Sequence, residues 1–452
     1  MFNTNYLKFV TTMLGLASLT VIKAAGITYS FATLAQMPES GVTYTDGCYI
    51  VNKNDTITEG DLFVLDEDVT VKFADQVWLV IQGEARLNVS DGHTTTLTRT
   101  DDTATPYGIK ILSNNDVEAS NITFEHLGLQ TMGSGMLTVS HCKFIRHNGS
   151  AAAALYVTTG GERCTVSDCH FESCAKAGIS TSANASRPLT ITNSEFIRNS
   201  TNNQNIPQIN ITAADILIKD CTILGDSTST TVNNMVGGIG VSNFAGFTDT
   251  QLTISHCDIR HNRYGIGTVG PVSQIRIEDN VILDNNHESN AMNGGSGISF
   301  YDPYRQTNAI VAGNRIEGSL WGITIIGCQD VNIGQPTATG ISSPGGNTFN
   351  RNGNGGQLYD LYNNSDLTVY AQNNRWGVAE QSEAQIETVV FHQNDDPSLG
   401  KVIFMPAASD TAIPSIEAEQ TESQDIYTIQ GIRLNSTPQH GLFIQNGKKH
   451  IR

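Results

Sequence analysis

The octapeptide LTVSHCKF at residues 137–144 returns as CTVSDCHF (164–171), LTITNSEF (189–196), ILIKDCTI (216–223), LTISHCDI (252–259), IRIEDNVI (275–282) and AIVAGNRI (309–316). Superposed, the seven copies share one column of small polar residues: Cys142, Cys169, Ser194, Cys221, Cys257, Asn280 and Asn314. Three residues earlier stand Val139, Val166, Ile191, Ile218, Ile254, Ile277 and Val311. Two residues later stand Phe144, Phe171, Phe196, Ile223, Ile259, Ile282 and Ile316. Alternation of apolar and polar residues ahead of the column marks a strand with one buried face. The change of phase at the column marks a tight turn into a second strand, and a third follows in GIST (178–181), GIGV (238–241), GIGT (265–268), GISF (297–300) and GITI (322–325).

A unit this short cannot bury its own apolar face, so copies must stack, and the chain grows as a solenoid without a second core. The expected fold is all-β: a right-handed single-stranded parallel β-helix with three short strands per coil, an N-terminal cap and a small C-terminal β segment. The pattern extends outward to VEASNITF (117–124), where Ile122 and Phe124 take the marker and aromatic positions. At the other end VYAQNNRWG (369–377) places Asn374 and Trp376 there. Before the repeats, DVTVKFADQVWLVIQGEARLNV (68–89) alternates in the same way, with Gly and Asp at turns. Residues 26–110 therefore read as the cap and first coils, and 111–406 as the repeats and the closing coil.

The two ends differ from the body. Lys8 precedes the apolar run FVTTMLGLASLTVI (9–22), and Ala24, Ala25 and Gly26 follow it, so residues 1–25 read as an export signal too short to span a membrane. Residues 407–424 are acidic and poor in apolar groups, as a linker is. Residues 425–452 regain strand character. A formal charge of −18 repels nucleic acid and anionic membrane. A monomer with no membrane span is expected.

The cap region, the repeats and the segment from NNRWG through HQNDDPSLGKVIF (392–404) resemble secreted right-handed β-helix proteins of the pectate-lyase-like superfamily. Within it they are most similar to the copper-maturation and carbohydrate-binding type. At the C-terminus, IYTIQG (426–431) and HGLFIQNGKK (440–449) resemble the sorting domain of the type IX secretion system of Bacteroidota. These resemblances imply a secreted or outer-membrane surface protein of a Gram-negative bacterium, with polysaccharide or glycan as partner. They leave activity open, because that superfamily holds lyases, hydrolases, epimerases, adhesins and non-catalytic modules.

The cysteines in the marker column read as buried reduced thiols. The spacing of Cys164, Cys169 and Cys174 is longer than that of metal-binding pairs, so no metal site is expected. His141 and His256 in SHC, and His147 and His261 in RHN, read as repeated surface positions. Outward residues of the third strand run Tyr156, Ser180, Asn210, Gly240, Gly267, Ser299 and Thr324, with Tyr301 one step further along. Neither a carboxylate nor a basic group stands among them, so the paired acids of glycoside hydrolysis and the base and cation of β-elimination are missing from that face. Tyr156, Asn210, Ser299 and Tyr301 are the carbohydrate-binding candidates, through hydroxyl and amide contacts and ring stacking.

The loops at 284–295 and 301–308 carry the catalytic candidates Asp284, His287, Glu288, Asp302, Tyr304 and Arg305. In a lyase reading Tyr304, His287 or Arg305 abstracts the proton, while Asp302 and Glu288 hold calcium against the substrate acid. The leading expectation is a surface β-helix that contacts polysaccharide without strong catalysis and without a cofactor. The alternatives are a polysaccharide lyase or glycoside hydrolase at these loops, and a structural or adhesive surface protein.

Overall fold

A computed structural model describes residues 26–158, 160–227, 234–335 and 342–408, and in the last part of the chain residues 426–428, 433–434, 442–445 and 448–451. The expected export signal, the linker beyond residue 408 and much of the sorting segment lie outside these residues. The chain divides into two compact units, the first ending at Ala407 and the second beginning at Ala408.

The larger unit is a right-handed parallel β-helix. Its three strand positions form three long sheets. First strands stack in 14 copies from Thr28–Tyr29 to Val402–Ile403, third strands in 13 from Asp55–Ile57 to Val390–Phe391, and second strands in 13 ending at Thr348–Asn350. Pairing between coils is parallel and follows the sequence columns: Leu137, Cys164, Leu189 and Ile216 are successive partners, as are Phe124, Phe144, Phe171 and Phe196. An antiparallel hairpin opens the second sheet. Val42–Thr45 pairs with Cys48–Val51 across Asp46 and Gly47, both in the left-handed region that such a tight turn requires. Just ahead of it, the one-turn helix Phe31–Leu34 is held by a Ser30–Thr33 capping box.

Inside, the four phenylalanines stack with centroids 4.7 Å apart and planes within 3° of parallel. That is the spacing of hydrogen-bonded strands, so identical residues in successive coils stack face to face. Ile223, Ile259, Ile282 and Ile316 continue the row, and Phe349 on Trp376 closes it.

The marker column is a ladder of polar side chains at the corner between first and second strands. Asn280, Asn314, Asn347 and Asn374 are buried. Each of the first three donates its side-chain amide to Oδ1 of the next at 2.9 Å, and that same oxygen also accepts the backbone N–H of the preceding rung. Each also donates to a main-chain carbonyl one coil back, as from Asn314 to Ile277. Cysteines stand in for asparagine earlier in the column, with the Cys142, Cys169 and Cys221 thiols pointing at the carbonyls of Ala119, Val139 and Ile191. All eight cysteines are buried and none is in a disulfide. Residues just before the column, among them His141, Asp168, Asn193, Asp220, His256 and Asp279, have φ between 49° and 56°. Asn, Asp and His tolerate that conformation best among residues with a side chain, which accounts for the choice of residue there.

A second ladder, not foreseen from the sequence, lines the corner between second and third strands. It runs through Cys174, Asn199, Asn262, Asn285, Ser319 and Asn352, with Gln208 bridging Asn199 to Asn262. It corrects one reading. The two RHN triplets are out of register by one residue, because Phe144 and Ile259 occupy the same column. His261 sits at the exposed turn with φ 57°, whereas His147 falls on the ladder position and is fully buried. Both His147 nitrogens lack partners, and burial depresses its pKa to about 3.

The smaller unit, as far as it is described, is an antiparallel sheet of four strands, Ile426–Thr428, Arg433–Leu434, Leu442–Gln445 and Lys448–Ile451, with the first strand between the second and third.

The second ladder ends on Asp360, which accepts from Asn352 Nδ2 at 3.0 Å and from the Gly377 amide at 2.7 Å, and burial raises its pKa to about 6. A carboxyl raised from 3.8 to about 6 stabilises the fold fully below its unfolded value, and that contribution is lost as pH rises through about 6. His147, depressed from 6.5 to about 3, contributes stability present above its unfolded value and lost as pH falls through about 3. The two run in opposite directions over the same window. Unfolding of Asp360→Asn, followed in denaturant from pH 4 to pH 7, should therefore lose stability on acidification more steeply than the wild type. The gap should change by on the order of 3 kcal/mol across the window. Parallel profiles for the two proteins would show that Asp360 does not titrate there.

Candidate functional site

Outward positions of the third strand pair coil to coil in the order Tyr156, Ser180, Asn210, Gly240, Gly267, Ser299, Thr324. Two of these neighbours, Gly240 and Gly267, carry no side chain. A Cβ on Gly240 would stand 2.7 Å from Pro207 Cγ and 3.1 Å from the Tyr264 hydroxyl, and one on Gly267 would stand 3.0 Å from Tyr264 Cε2. At Gly237 a Cβ would fall 2.1 Å from the same ring. The glycines are there because the Tyr264 ring lies against the sheet, an approach that only a residue without Cβ permits.

Beside that ring opens a groove of about 400 Å³, floored by Asn210, Gly240, Gly267 and Ser299. It spans four coils, roughly 14 Å along the axis at the usual strand spacing, and its volume is within the range of small-ligand sites. Tyr264 and Arg263 line one side. On the other, Phe244 (75% exposed), Val269 (37%) and Tyr301 (44%) present apolar surface to solvent. Arg263 is 9% exposed, donates from Nη2 to Asn205 Oδ1, and holds its guanidinium carbon 5.1 Å from the Tyr264 ring centre, a cation–π distance. Burial raises the pKa of the Tyr264 phenol. Among the described residues lining the groove there is no carboxylate, lysine or histidine.

Three of the four expected carbohydrate contacts meet here: Asn210 and Ser299 on the floor and Tyr301 on the rim. Tyr301 lies within a strand, not a loop, because Ser296–Asp302 extends to match the seven-residue strand Trp321–Gly327. Tyr156 lies outside the groove, two coils nearer the N-terminus.

The six loop candidates line no part of the groove. Asp284 sits 3.6 Å from Arg351, on the second-strand corner. Glu288 accepts from Asn234 Nδ2 at 2.9 Å and from the Asn290 amide at 2.8 Å. Asp302 is 1% exposed, with its carboxylate taking the backbone N–H groups of Tyr304, Gln306 and Thr307 at 2.7–3.0 Å. The His287 amide donates to the Asn262 carbonyl. Tyr304 is exposed, and Arg305 pairs with Asp366 at 3.0 Å.

Arg263, Tyr264 and Phe244 were missed because they precede or follow the strand whose outward column was read. The signal was present as glycine at 237, 240 and 267 in adjacent coils, which marks clearance for a bulky neighbour. One further cluster, Glu387, His392 and Asp395, brings potential metal ligands within 4.8 Å of one another. Hydrogen bonds account for it: His392 Nδ1 accepts the Val402 amide at 2.8 Å, Nε2 faces Glu387 Oε1 at 3.0 Å, and Asp395 Oδ2 accepts the His392 amide. It fastens the closing coil.

Fold and groove together define a parallel β-helix with a shallow trough on its third-strand sheet, Arg263 the one charged residue among the described residues that line it. Residues 68–232 match the family described as right handed beta helix region. No curated protein matches the sequence. Among solved structures, a double mutant of the periplasmic alginate epimerase AlgG is similar at 11% identity, over 84% of this chain and 83% of that one, with a TM-score of 0.47. Unsubstituted AlgG is similar at 12% identity over 83% and 76%, with a TM-score of 0.40. Nothing of that enzyme's chemistry passes to this chain from likeness at this level.

The contacts of Asp302 assign it to holding the 302–307 turn. Asp302→Ala leaves three backbone N–H groups without an acceptor, one of them in the buried Thr307, and should lower stability by about 2–3 kcal/mol in denaturant unfolding. Unaltered stability with loss of a measured cleavage activity would move Asp302 into a catalytic role.

Proposed function

We propose that this chain is an exported surface module that binds a polysaccharide in the groove between Tyr264 and Tyr301 and does not cleave it. The observation that carries this reading is the trough itself: glycine and serine backbone at the floor, with aromatic and apolar side chains exposed along its edges. Pyranose rings present apolar C–H faces edged with hydroxyls. Such a ring fits a site where Tyr301 and Phe244 offer flat apolar surface and Asn210 and Ser299 offer hydrogen bonds. Exposed aromatics beside a concave polar floor are otherwise costly to leave in water, which argues for an occupant.

The absence of acid and base favours binding over chemistry. Hydrolysis needs two carboxyl groups facing the bond, and the described residues lining the groove supply none. Tyr264 is the buried tyrosine on one side of the groove, and burial disfavours the phenolate that proton abstraction would require. The expected leader at residues 1–25 and the sorting-like segment at 425–452 belong to the same proposal. They would deliver the module to the surface or medium of a Gram-negative cell.

The test is retention and calorimetry of the full chain on a panel of polysaccharides, with reducing ends and unsaturated products followed in parallel, with calcium and with chelator. Binding without product is expected, and Tyr301→Ala and Phe244→Ala should each weaken it about tenfold, as for aromatic anchors of an interface. Product formation that survives Tyr301→Ala and disappears with Arg305→Ala would overturn this reading in favour of a lyase at the loops.

A further inference from the structure

We propose that Arg263 binds an oxyanion carried by the glycan, which makes the groove a subsite for acidic sugars, uronates or sulfated sugars, in place of neutral ones. The proposal rests on the glycan-binding reading above and narrows its substrate class.

Arg263 is unlike the other arginines. Arg99, Arg146, Arg163, Arg198, Arg276 and Arg305 each lie 2.5–3.0 Å from a carboxylate and are exposed or half-buried. Arg187, the other deeply buried one, gives both terminal nitrogens to main-chain carbonyls, those of Gly133 and Gly135. Arg263 is nine-tenths buried, and no carboxylate pairs with it among the described residues. Its side-chain partners are both neutral, Asn205 Oδ1 and the Tyr264 hydroxyl, and its Nε, like that of Arg187, is buried with no partner.

Withdrawing a guanidinium from water costs several kcal/mol unless an anion or a full set of acceptors compensates. The chain has 44 acidic residues and a net charge of −18, yet none lines the groove among the described residues. The compensating anion is therefore assigned to the ligand. Guanidinium chemistry suits that task, because its planar fork of N–H groups matches a carboxylate or sulfate edge. The Tyr264 ring, its centre 5.1 Å from the Arg263 Cζ, holds the guanidinium beside the groove, and Arg263 lines the same groove as Asn210, Ser299 and Tyr301.

This arrangement differs from a basic patch, and its salt response differs accordingly. The negative body of the protein repels a polyanion at long range, while a mostly buried pair attracts it at contact. Salt screens the first far more than the second. Affinity for an acidic oligosaccharide should thus hold level or rise as ionic strength increases to about 0.15 M, whereas attraction to a basic patch would weaken.

The experiment is calorimetric titration of the full chain with an oligouronate, with the same oligosaccharide after reduction of its carboxyl groups, and with a sulfated oligosaccharide of equal length. The wild type should bind one of the two acidic sugars at least tenfold more tightly than the neutral one, and which of them it prefers assigns the anion. In Arg263→Gln, which keeps a hydrogen-bonding group beside Asn205, acidic and neutral sugars should bind alike, at the wild-type affinity for the neutral one. Equal wild-type affinity for all three would overturn the anion assignment and leave Arg263 as a strut beneath Tyr264. That comparison needs no variant and stands even if Arg263→Gln fails to fold. Binding of none of the three would overturn the glycan-binding reading itself.

Discussion

From Cys142 onward, successive coils of this molecule are tied together by a side chain that turns inward at a corner and hydrogen-bonds to the main chain, and in the asparagine rungs also to the side chain, of its neighbours. At the first corner the rungs are Asn280, Asn314, Asn347 and Asn374, preceded by cysteines and a serine in the same place. Buried backbone groups at a turn have lost their strand partners and must find others. A row of amides stacked one coil apart supplies donor and acceptor at every step. With these corners fixed, the strands between them can be very short and the sheets remain continuous along the axis. The stacked phenylalanines fill the interior that this geometry encloses.

A fold held from its corners leaves its outer faces free. Third-strand residues pointing outward contribute little to the core, so the sequence can place glycine at 240 and 267 without breaking the solenoid. The space so cleared is taken partly by Tyr264, itself two residues past the ladder residue Asn262. Arg263, between them, is held at depth by the same corner. The second ladder therefore positions the two residues that give the groove its chemistry, and the long strand Ser296–Asp302 carries Tyr301 to the opposite rim.

The repeat columns were legible in the sequence because period and polarity there follow directly from strand pairing. Predicted partners such as Leu137 with Cys164, or Asn210 with Gly240, are partners in the structure. The second ladder was harder to see. Its rungs are Cys, Asn, Ser and Gln in a coil of varying length, and the repeated RHN triplets suggested a register one residue away from the true one. Half of the groove was legible for the same reason that the columns were, since outward strand positions follow from alternation. The other half comes from corner residues, whose direction no periodicity specifies. Charged loop residues drew notice from their chemistry alone. Three-dimensional contacts show Asp302 occupied by backbone amides and Arg305 by Asp366, pairings that a linear reading does not contain.

The most direct measurement of the central claim is a crystal structure of the full chain grown with the tightest-binding oligosaccharide. The account predicts sugar rings over Gly240 and Gly267, between Tyr264 and Tyr301, with an acidic substituent within hydrogen-bonding distance of Arg263. Sugar bound on another face, or along the loops at 284–295 and 301–308 with the groove left in water, would contradict it.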